Sequence, residues 1–483
     1  MKLKRVVIVG SGIAPAIAGA ALRSAFGRAG LEVEWIETPG AISPHQVVPG
    51  LPNARGFHRL LGVDQPEILH RRRATFTLGQ QYLGFSGGEG EFLHSYGPIG
   101  RPVGSLPFIQ FWIKAKQAGL PAKFEDFARE AVAARNGRLR LADTRDMPAT
   151  AHGYHLDARD YAEVLRAQAL WSGVTVTPDA APVAAVEDGR VSSLTLSDGR
   201  RIEADLFVDT SGAIRAALGS DDIADASISG CTRLVLASGK AMRPLPLYSR
   251  VAAHRAGWSA LYPLQDRTGI VIAYDAAAIG DEEAATLAGM PLDGEPEFMP
   301  LAPWQRTRPW AGNVVAIGDA ADEGEPLAAT ALHRLQIAVT HLISLFPVDR
   351  HAMPEAGIYN EELAAYHARL LDFEAAHYAL NQRDEPFWAA ARARPRSPEL
   401  DAKIGLFGAR GMIAQYNQES FAEDEWQAAF LGHGLMPRSY DPQADRVDEQ
   451  QVMLAFRDQL AAIRADVTAM DTHEAAIAKA MVH

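Results

Sequence analysis

Val6-Val7-Ile8-Val9-Gly10-Ser11-Gly12-Ile13-Ala14-Pro15 is the stretch on which the reading of this chain turns. A short β-branched run closes on two glycines and opens an alanine-rich stretch to about Ala29, which predicts strand, tight turn and helix in that order. Such a turn binds anions. N–H groups at a helix N-terminus face a pyrophosphate, Gly10 makes the turn, and Gly12 lets the backbone approach the phosphates, with Ile13 and Ala14 in the same candidate cradle. Pro15 stands where a third glycine would allow close helix–strand packing, so this motif alone is a weak signal. Val33-Glu34-Trp35-Ile36-Glu37 reads as the next parallel strand, and Glu37 at its end is placed to accept from adenosine ribose hydroxyls.

Two distant stretches strengthen the reading. Arg201 to Gly212 carries a buried strand that closes on the small-residue turn Thr210-Ser211-Gly212, and Asn313 to Ala321 carries an apolar strand ending in Gly318-Asp319. A carboxylate there can hold the ribityl hydroxyls of FAD. Between these core segments, two Asp-Gly turns at Asp188-Gly189 and Asp198-Gly199 separate alternating runs, a hairpin signature. Glycine loop, strand plus turn, and Gly-Asp strand in this order resemble the glutathione-reductase-like FAD-binding fold. The expected class is therefore α/β, with a mixed-sheet substrate region and a C-terminal helical region. The flavin module spans 1–348 discontinuously (about 1–50, 150–215 and 305–348) around an inserted substrate-side sheet, and 349–483 is mainly helical.

Bulk properties limit the alternatives. The 483 residues suffice for two or three packed units, and no segment reaches the roughly 20 apolar residues of a membrane span. The basic and apolar start is read as a buried strand rather than a signal peptide, because only four apolar residues precede Gly10. A net charge of -12 disfavours a nucleic-acid partner. A single cysteine, Cys231, leaves no internal disulfide and no multi-cysteine metal site, so no metal is expected and a reducing cytoplasm is the natural compartment. Arg71-Arg72-Arg73 is read as a solvated helix face.

Three further strings are similar to the flavin-dependent tryptophan halogenases: Ala376 to Trp388 (AHYALNQRDEPFW), His152-Gly153-Tyr154-His155-Leu156-Asp157 before an amphipathic helix, and Gly432-His433-Gly434-Leu435-Met436-Pro437. The resemblance covers about residues 5 to 440. It implies an enzyme in which reduced FAD and O2 form a C4a-hydroperoxide, halide attacks it, and hypohalous acid travels through a tunnel past a lysine to an aromatic substrate assisted by a glutamate. Here Gln81 stands at the lysine position and Ala328 at the glutamate position. Of the Ser-Thr-Gly halide loop only Thr330 remains, within Ala329-Thr330-Ala331. One of two signature tryptophans is lost in Trp258-Ser259-Ala260-Leu261-Tyr262-Pro263, and the glycine-rich flavin loop is replaced by Val47-Val48-Pro49-Gly50-Leu51-Pro52.

The reading that follows is an FAD-dependent monooxygenase or atypical halogenase acting on an aromatic or apolar small molecule. The alternative is a catalytically silent flavin-binding or protein-binding module on the same scaffold. His94 and Tyr96, aligned with the family's substrate wall, and Trp426 and Phe430 form the candidate substrate surface, with His94 also a candidate for proton transfer. One glycine fingerprint without a second implies reduced flavin from a separate reductase, or NAD(P)H that binds only transiently. His155 and Asp157 read as a helix-start cap. Asp448 to His483, with Val452, Leu454, Leu460 and Ile463 at helical spacing, reads as one or two amphipathic helices packing on their own domain, with a homodimer as the other use of that face.

Overall fold

The computed structural model describes residues 3–70, 73–87, 90–145, 147–219 and 222–481. These fall into two compact units, one from 1–71, 156–227 and 302–368, the other from 72–155, 228–301 and 369–483.

In the first unit Val6 to Val9 are wholly buried, as a central parallel strand requires. The strand Arg5–Gly10 runs parallel to Glu32–Glu37 on one side and Leu206–Asp209 on the other, pairing Ile8 with Trp35 and Val9 with Asp209. Among the described residues the sheet extends to Thr175–Pro178 at one edge and through Val314–Ala316 to the antiparallel strand Trp310–Ala311 at the other. The glycine-loop strand, the Asp209 strand and the Gly318-Asp319 strand are thus neighbours whose C-terminal ends open on one edge, where open α/β sheets take their ligands. The hairpin Val183–Glu187 and Arg190–Thr195 pairs with Arg201–Ile202, and Val191, Leu194 and Ile202 from it pack with Val7, Phe207 and Val314 over one sheet face.

The helix Ile13–Phe26 stops short of the expected Ala29, and a single turn of 3₁₀ helix over Gly27–Ala29 completes it. Pro15 sits in its first turn, where a missing N–H costs nothing. Close packing comes instead from Gly19: a Cβ there would lie 3.2 Å from Val174 and 3.5 Å from Ile8.

The second unit centres on a seven-stranded sheet in the order Glu297–Pro300, Arg233–Lys240, Arg267–Tyr274, Gly257–Pro263, Ser249–His254, Gly79–Leu83, Glu91–Ser95. Only the pairing of Ser249–His254 with Gly79–Leu83 is parallel, so the expected mixed sheet is present. Of the strings that resemble the halogenases, Ala376 to Trp388 locks onto this sheet, whereas Gly153–Asp157 is a strand of a separate three-stranded sheet, antiparallel to Thr75–Thr77. Trp258 Nε1 donates to the Tyr378 hydroxyl at 2.7 Å, Trp388 Nε1 donates to the His254 carbonyl at 2.7 Å, and Arg392 ties the carbonyls of Asn381 and Arg383. Two buried indole N–H groups, one on a strand and one on the helix Pro386–Arg392, need such fixed acceptors, which accounts for a string that no periodicity would demand.

Arg71 and Arg72 lie outside the described residues. Arg73 is not on a helix as expected: it follows the helix Gln65–His70 in an extended link and pairs with Asp266 at 3.3 Å. The C-terminal segment forms the helices Glu449–Thr468 and His473–Ala480, with Val482 and His483 outside the described residues. Leu454, expected on the buried face, is 49% exposed, and Phe456, four residues from Val452, takes the inward position. Among the described residues no helix is long and apolar enough to cross a membrane.

Candidate functional site

At the open edge of the parallel sheet lies a cleft of about 830 Å³, within the range of about 300–1,000 Å³ usual for small-molecule and cofactor sites. Gly12, Ile13, Ala14, Glu37, Gly318, Asp319, Thr330 and Ala331 all line it. Two helices, Ile13–Phe26 and Ala331–Ser344, begin at its wall, and neither has an acidic residue in its first turn or a side-chain cap. Their first N–H groups are therefore donors that the helices themselves leave unused, with the positive ends of two helix dipoles behind them.

The glycines are needed for different reasons. Gly10 does not line the cleft; it is left-handed with φ 142°, and a Cβ there would sit 1.9 Å from Thr210 Oγ1. Gly12 has room for a side chain, but its φ of 79° favours glycine. Gly318, at φ 58°, brings the turn that carries Asp319 against the glycine-loop helix, where a Cβ would meet the Ala14 Cβ at 2.9 Å. The turn after the Asp209 strand is set by the buried Asp209 carboxylate, which accepts from the backbone N–H groups of Ser211, Gly212 and Arg215.

Glu37 faces the cleft, but it is engaged by a residue that the sequence did not single out. Arg166, on the helix Ala158–Trp171, donates from Nε and Nη2 to both carboxylate oxygens at 2.8 and 2.9 Å, and its guanidinium lies 5.9 Å from the Trp35 ring centre. Asp157 caps that helix as expected, accepting from Arg159 and Asp160 N–H; His155 is no part of the cap and sits with Nε2 3.0 Å from Ser249 Oγ. Asp319 reaches the cleft surface. Loss of solvent around it, and then repulsion from Asp322, raise its carboxyl above the ordinary pKa. Asp322 pairs with His367 at 3.1 Å, and Arg334, buried, lies on the same wall.

The loop before the second cleft helix explains one departure. Ala331, which the resemblance sets against the family's loop glycine, is the first helical residue, where alanine fits. The left-handed residue is instead Ala329 at φ 60°, at a cost of about 1–2 kcal/mol. Ala328 is 4% exposed and does not line the cleft.

The remaining candidates lie in the second unit. Gln81 and His94 are not brought together: Gln81 donates from Nε2 to Glu91 Oε2 at 3.0 Å, whereas Gln80, pointing to the opposite face, is the cross-strand partner of His94. His94, Tyr96, Trp426 and Phe430 are all buried. Trp426 packs on Phe430 at 5.6 Å and on Phe373 at 5.0 Å, and Phe373 packs on His94 at 5.5 Å. Burial pushes the His94 imidazole down to about 4, against a backbone hydrogen bond at Glu425 that favours the charged form. The sequence missed the neighbours of this cluster: Phe373, Phe421, and the buried pair His377 and His433, whose Nδ1 and Nε2 lie 2.9 Å apart. The signal for His377 and His433 was their place in the strings similar to the halogenases; Phe373 and Phe421 carried none. Among the described residues no group of three or more His, Cys, Asp or Glu is arranged to hold a metal.

Comparison with known proteins places the whole arrangement. The profile of the family described as tryptophan halogenase matches residues 5–449. Tryptophan 7-halogenase KtzQ of Kutzneria sp. (strain 744) is 26% identical over 84% of this chain and 82% of its own, and tryptophan 7-halogenase RebH of Lentzea aerocolonigenes is 25% identical over 91% of each. Among solved structures, BrvH, a flavin-dependent halogenase from Brevundimonas sp. BAL3, superposes with a TM-score of 0.92 at 30% identity over 99% of both chains. Xcc4156, a flavin-dependent halogenase from Xanthomonas campestris, gives 0.93 at 27% identity over 99% of this chain and 98% of its own. With its flavin-type sheet, its glycine cradle and these likenesses, this chain belongs to the tryptophan halogenase family of FAD-dependent oxidoreductases.

Proposed function

We propose that this chain is an FAD-dependent, oxygen-using enzyme that modifies a small aromatic or apolar molecule, by oxygen or halogen transfer, without the family's lysine and glutamate. The observation that carries the cofactor assignment is the cleft into which two uncapped helix N-termini and Asp319 converge. FAD, when bound and reduced, supplies the two-electron activation of O2. Gly10 and Gly12 shape the pyrophosphate cradle at Ile13 and Ala14, Glu37 accepts from the adenosine ribose, Asp319 takes the ribityl hydroxyls beside Gly318, and Thr330 and Ala331 present the second helix end. The flavin module is the discontinuous stretch of about 1–50, 150–215 and 305–348.

The aromatic substrate belongs to the surface of His94, Tyr96, Trp426 and Phe430. The neutral His94 imidazole is the base that orients the substrate or takes its proton. Gln81, a neutral amide tied to Glu91, forms no covalent adduct with an electrophile and supplies no ammonium, and Ala328 accepts no proton. Whatever guides the electrophile comes from other residues. Electrons come from a separate flavin reductase, since the sequence holds one dinucleotide fingerprint. The cell compartment is the cytoplasm.

The test begins with purified protein, which is yellow or takes up added FAD. Photoreduced protein is then mixed with O2 and a panel of indoles and phenols, with and without bromide, and products are weighed. One added oxygen, or a bromine isotope pair, is the expected outcome. A protein that binds no FAD, or bound flavin that yields no product across the panel, overturns the reading in favour of a silent scaffold. Rapid reduction by NADPH with no partner overturns the separate reductase.

A further inference from the structure

Phe421 stacks face to face on Phe373, with ring centres 3.7 Å and planes 16° apart. His94 packs against both rings, and Trp426 meets Phe373 edge-on. An aromatic ligand needs walls of this kind, and here the stacked ring is the protein's own.

On the same sheet face, His94 Nε2, Gln80 Nε2 and His377 Nε2 are buried without a hydrogen-bond partner, on residues no more than 3% exposed. Buried polar atoms in native proteins are nearly always paired, and an orphan is costly to the fold. Gln80 and His94 are cross-strand neighbours, and the His377 ring lies 5.4 Å from Phe373. Three orphans beside one aromatic stack mark a place where a partner is missing. The backbone hydrogen bond of His94 at Glu425 fixes the proton on Nδ1, so its Nε2 is an acceptor, while Gln80 Nε2 is a donor.

The charges nearby are already committed. Lys403, wholly buried, donates to Glu419 and the Ala414 carbonyl and faces the rings of Tyr416 and Trp426 at 4.8 and 4.7 Å. It is not available to hold a ligand carboxylate. Phe421 itself lies in the irregular stretch between the helices Pro398–Arg410 and Glu423–Gly432, in which Gly411 and the non-glycine Gln418 are left-handed at φ 70° and 64°. Glu419, held by Lys403 and by Trp426 Nε1, anchors the segment two residues before the ring.

We propose that Phe421 is a plug: its ring stands in place of an aromatic ligand, and the site it closes takes a small uncharged aromatic molecule bearing a ring N–H or a phenolic O–H. This rests on the assignment of His94 and Trp426 to the substrate side. The ligand N–H or O–H donates to His94 Nε2, and a phenolic oxygen accepts from Gln80 Nε2.

The test is calorimetric titration of the FAD-loaded full chain with indole and with phenol, comparing wild type with Phe421→Ala. At least ten-fold tighter binding by the variant is expected, returning toward wild type when His94→Phe is added. Equal affinities, or no binding by a variant that keeps its wild-type circular dichroism, overturn the plug. Should Phe421→Ala lose its fold, Phe421→Leu, which keeps most of the volume, is titrated instead, with about three-fold tighter binding expected and no change overturning the proposal. Flavin content read in the same samples separates the two readings: a chain without flavin that binds indole better after Phe421→Ala keeps the plug while overturning the cofactor assignment.

Discussion

In the first unit, glycines and helix ends leave backbone N–H groups facing an open cleft. In the second, rings and imidazoles from four distant stretches fill the space beside a sheet. The first site is made of main chain and is ready for a large polar cofactor. The second is made of side chains that touch one another, and its His94 and His433 imidazoles are neutral because burial has taken their charge. Backbone geometry is altered by few substitutions, whereas a wall of packed side chains is altered by many.

The largest expected effect is that of acid on buried imidazoles, and both regions hold them, since burial also lowers His58 and His333 of the first unit to about 4. Burial lowers His94 to about 4 and His433 to about 3, with His94 adding to the latter, so both fold as neutral bases. Their folded values lie below the ordinary 6.5: the stability they permit is intact above about pH 6.5 and is lost as pH falls toward 4, on the order of 3 kcal/mol for each. Glu425, raised by burial to about 7, works oppositely and weakens the fold as pH rises from about 4.5 to 7, and burial raises Asp372, Glu423 and Asp424 in the same direction. Thermal melts from pH 8 to 4, followed by tryptophan fluorescence, are expected to fall steeply below pH 6.5. A flat profile breaks the picture of neutral buried imidazoles.

Next in size is Gly10→Ala, which puts a methyl into Thr210 Oγ1. A loss of about 3 kcal/mol, seen in chemical denaturation, together with loss of bound flavin, is expected. Asp319→Ala is smaller and more specific. It leaves the melting temperature of the apoprotein nearly unchanged and weakens FAD binding about ten-fold, or about 1.4 kcal/mol, measured by flavin fluorescence titration. Unchanged affinity removes Asp319 from the cofactor contacts. The smallest effect is Ala329→Gly, which relieves a left-handed alanine and is expected to stabilise the chain by about 0.5 kcal/mol in denaturant melts.

How much of this was legible in the sequence follows the same divide. The glycine loop, Glu37 and the Gly318-Asp319 turn were readable because each is a short local string whose geometry depends on residues within a few positions. What escaped was long-range: Arg166 lies 129 positions from Glu37, and Gly19 rather than the motif's third glycine supplies close packing. In the second unit resemblance identified the strings but not their partners. Local spacing could not show that Gln81 turns toward Glu91 while its neighbour Gln80 faces His94, since one residue of register exchanges the faces of a strand. Arg73 was misplaced on a helix because charge clustering alone does not say where a helix stops.

The clasp of Arg166 on Glu37 bears on the timing of cofactor capture. With both oxygens held by a forked guanidinium, the carboxylate plane is already oriented for the ribose contact proposed for Glu37. The entropy of ordering that side chain is met during folding rather than at the encounter. Loosening the clasp, as in Arg166→Met, would therefore show itself in how long a nucleotide stays rather than in how fast it is found.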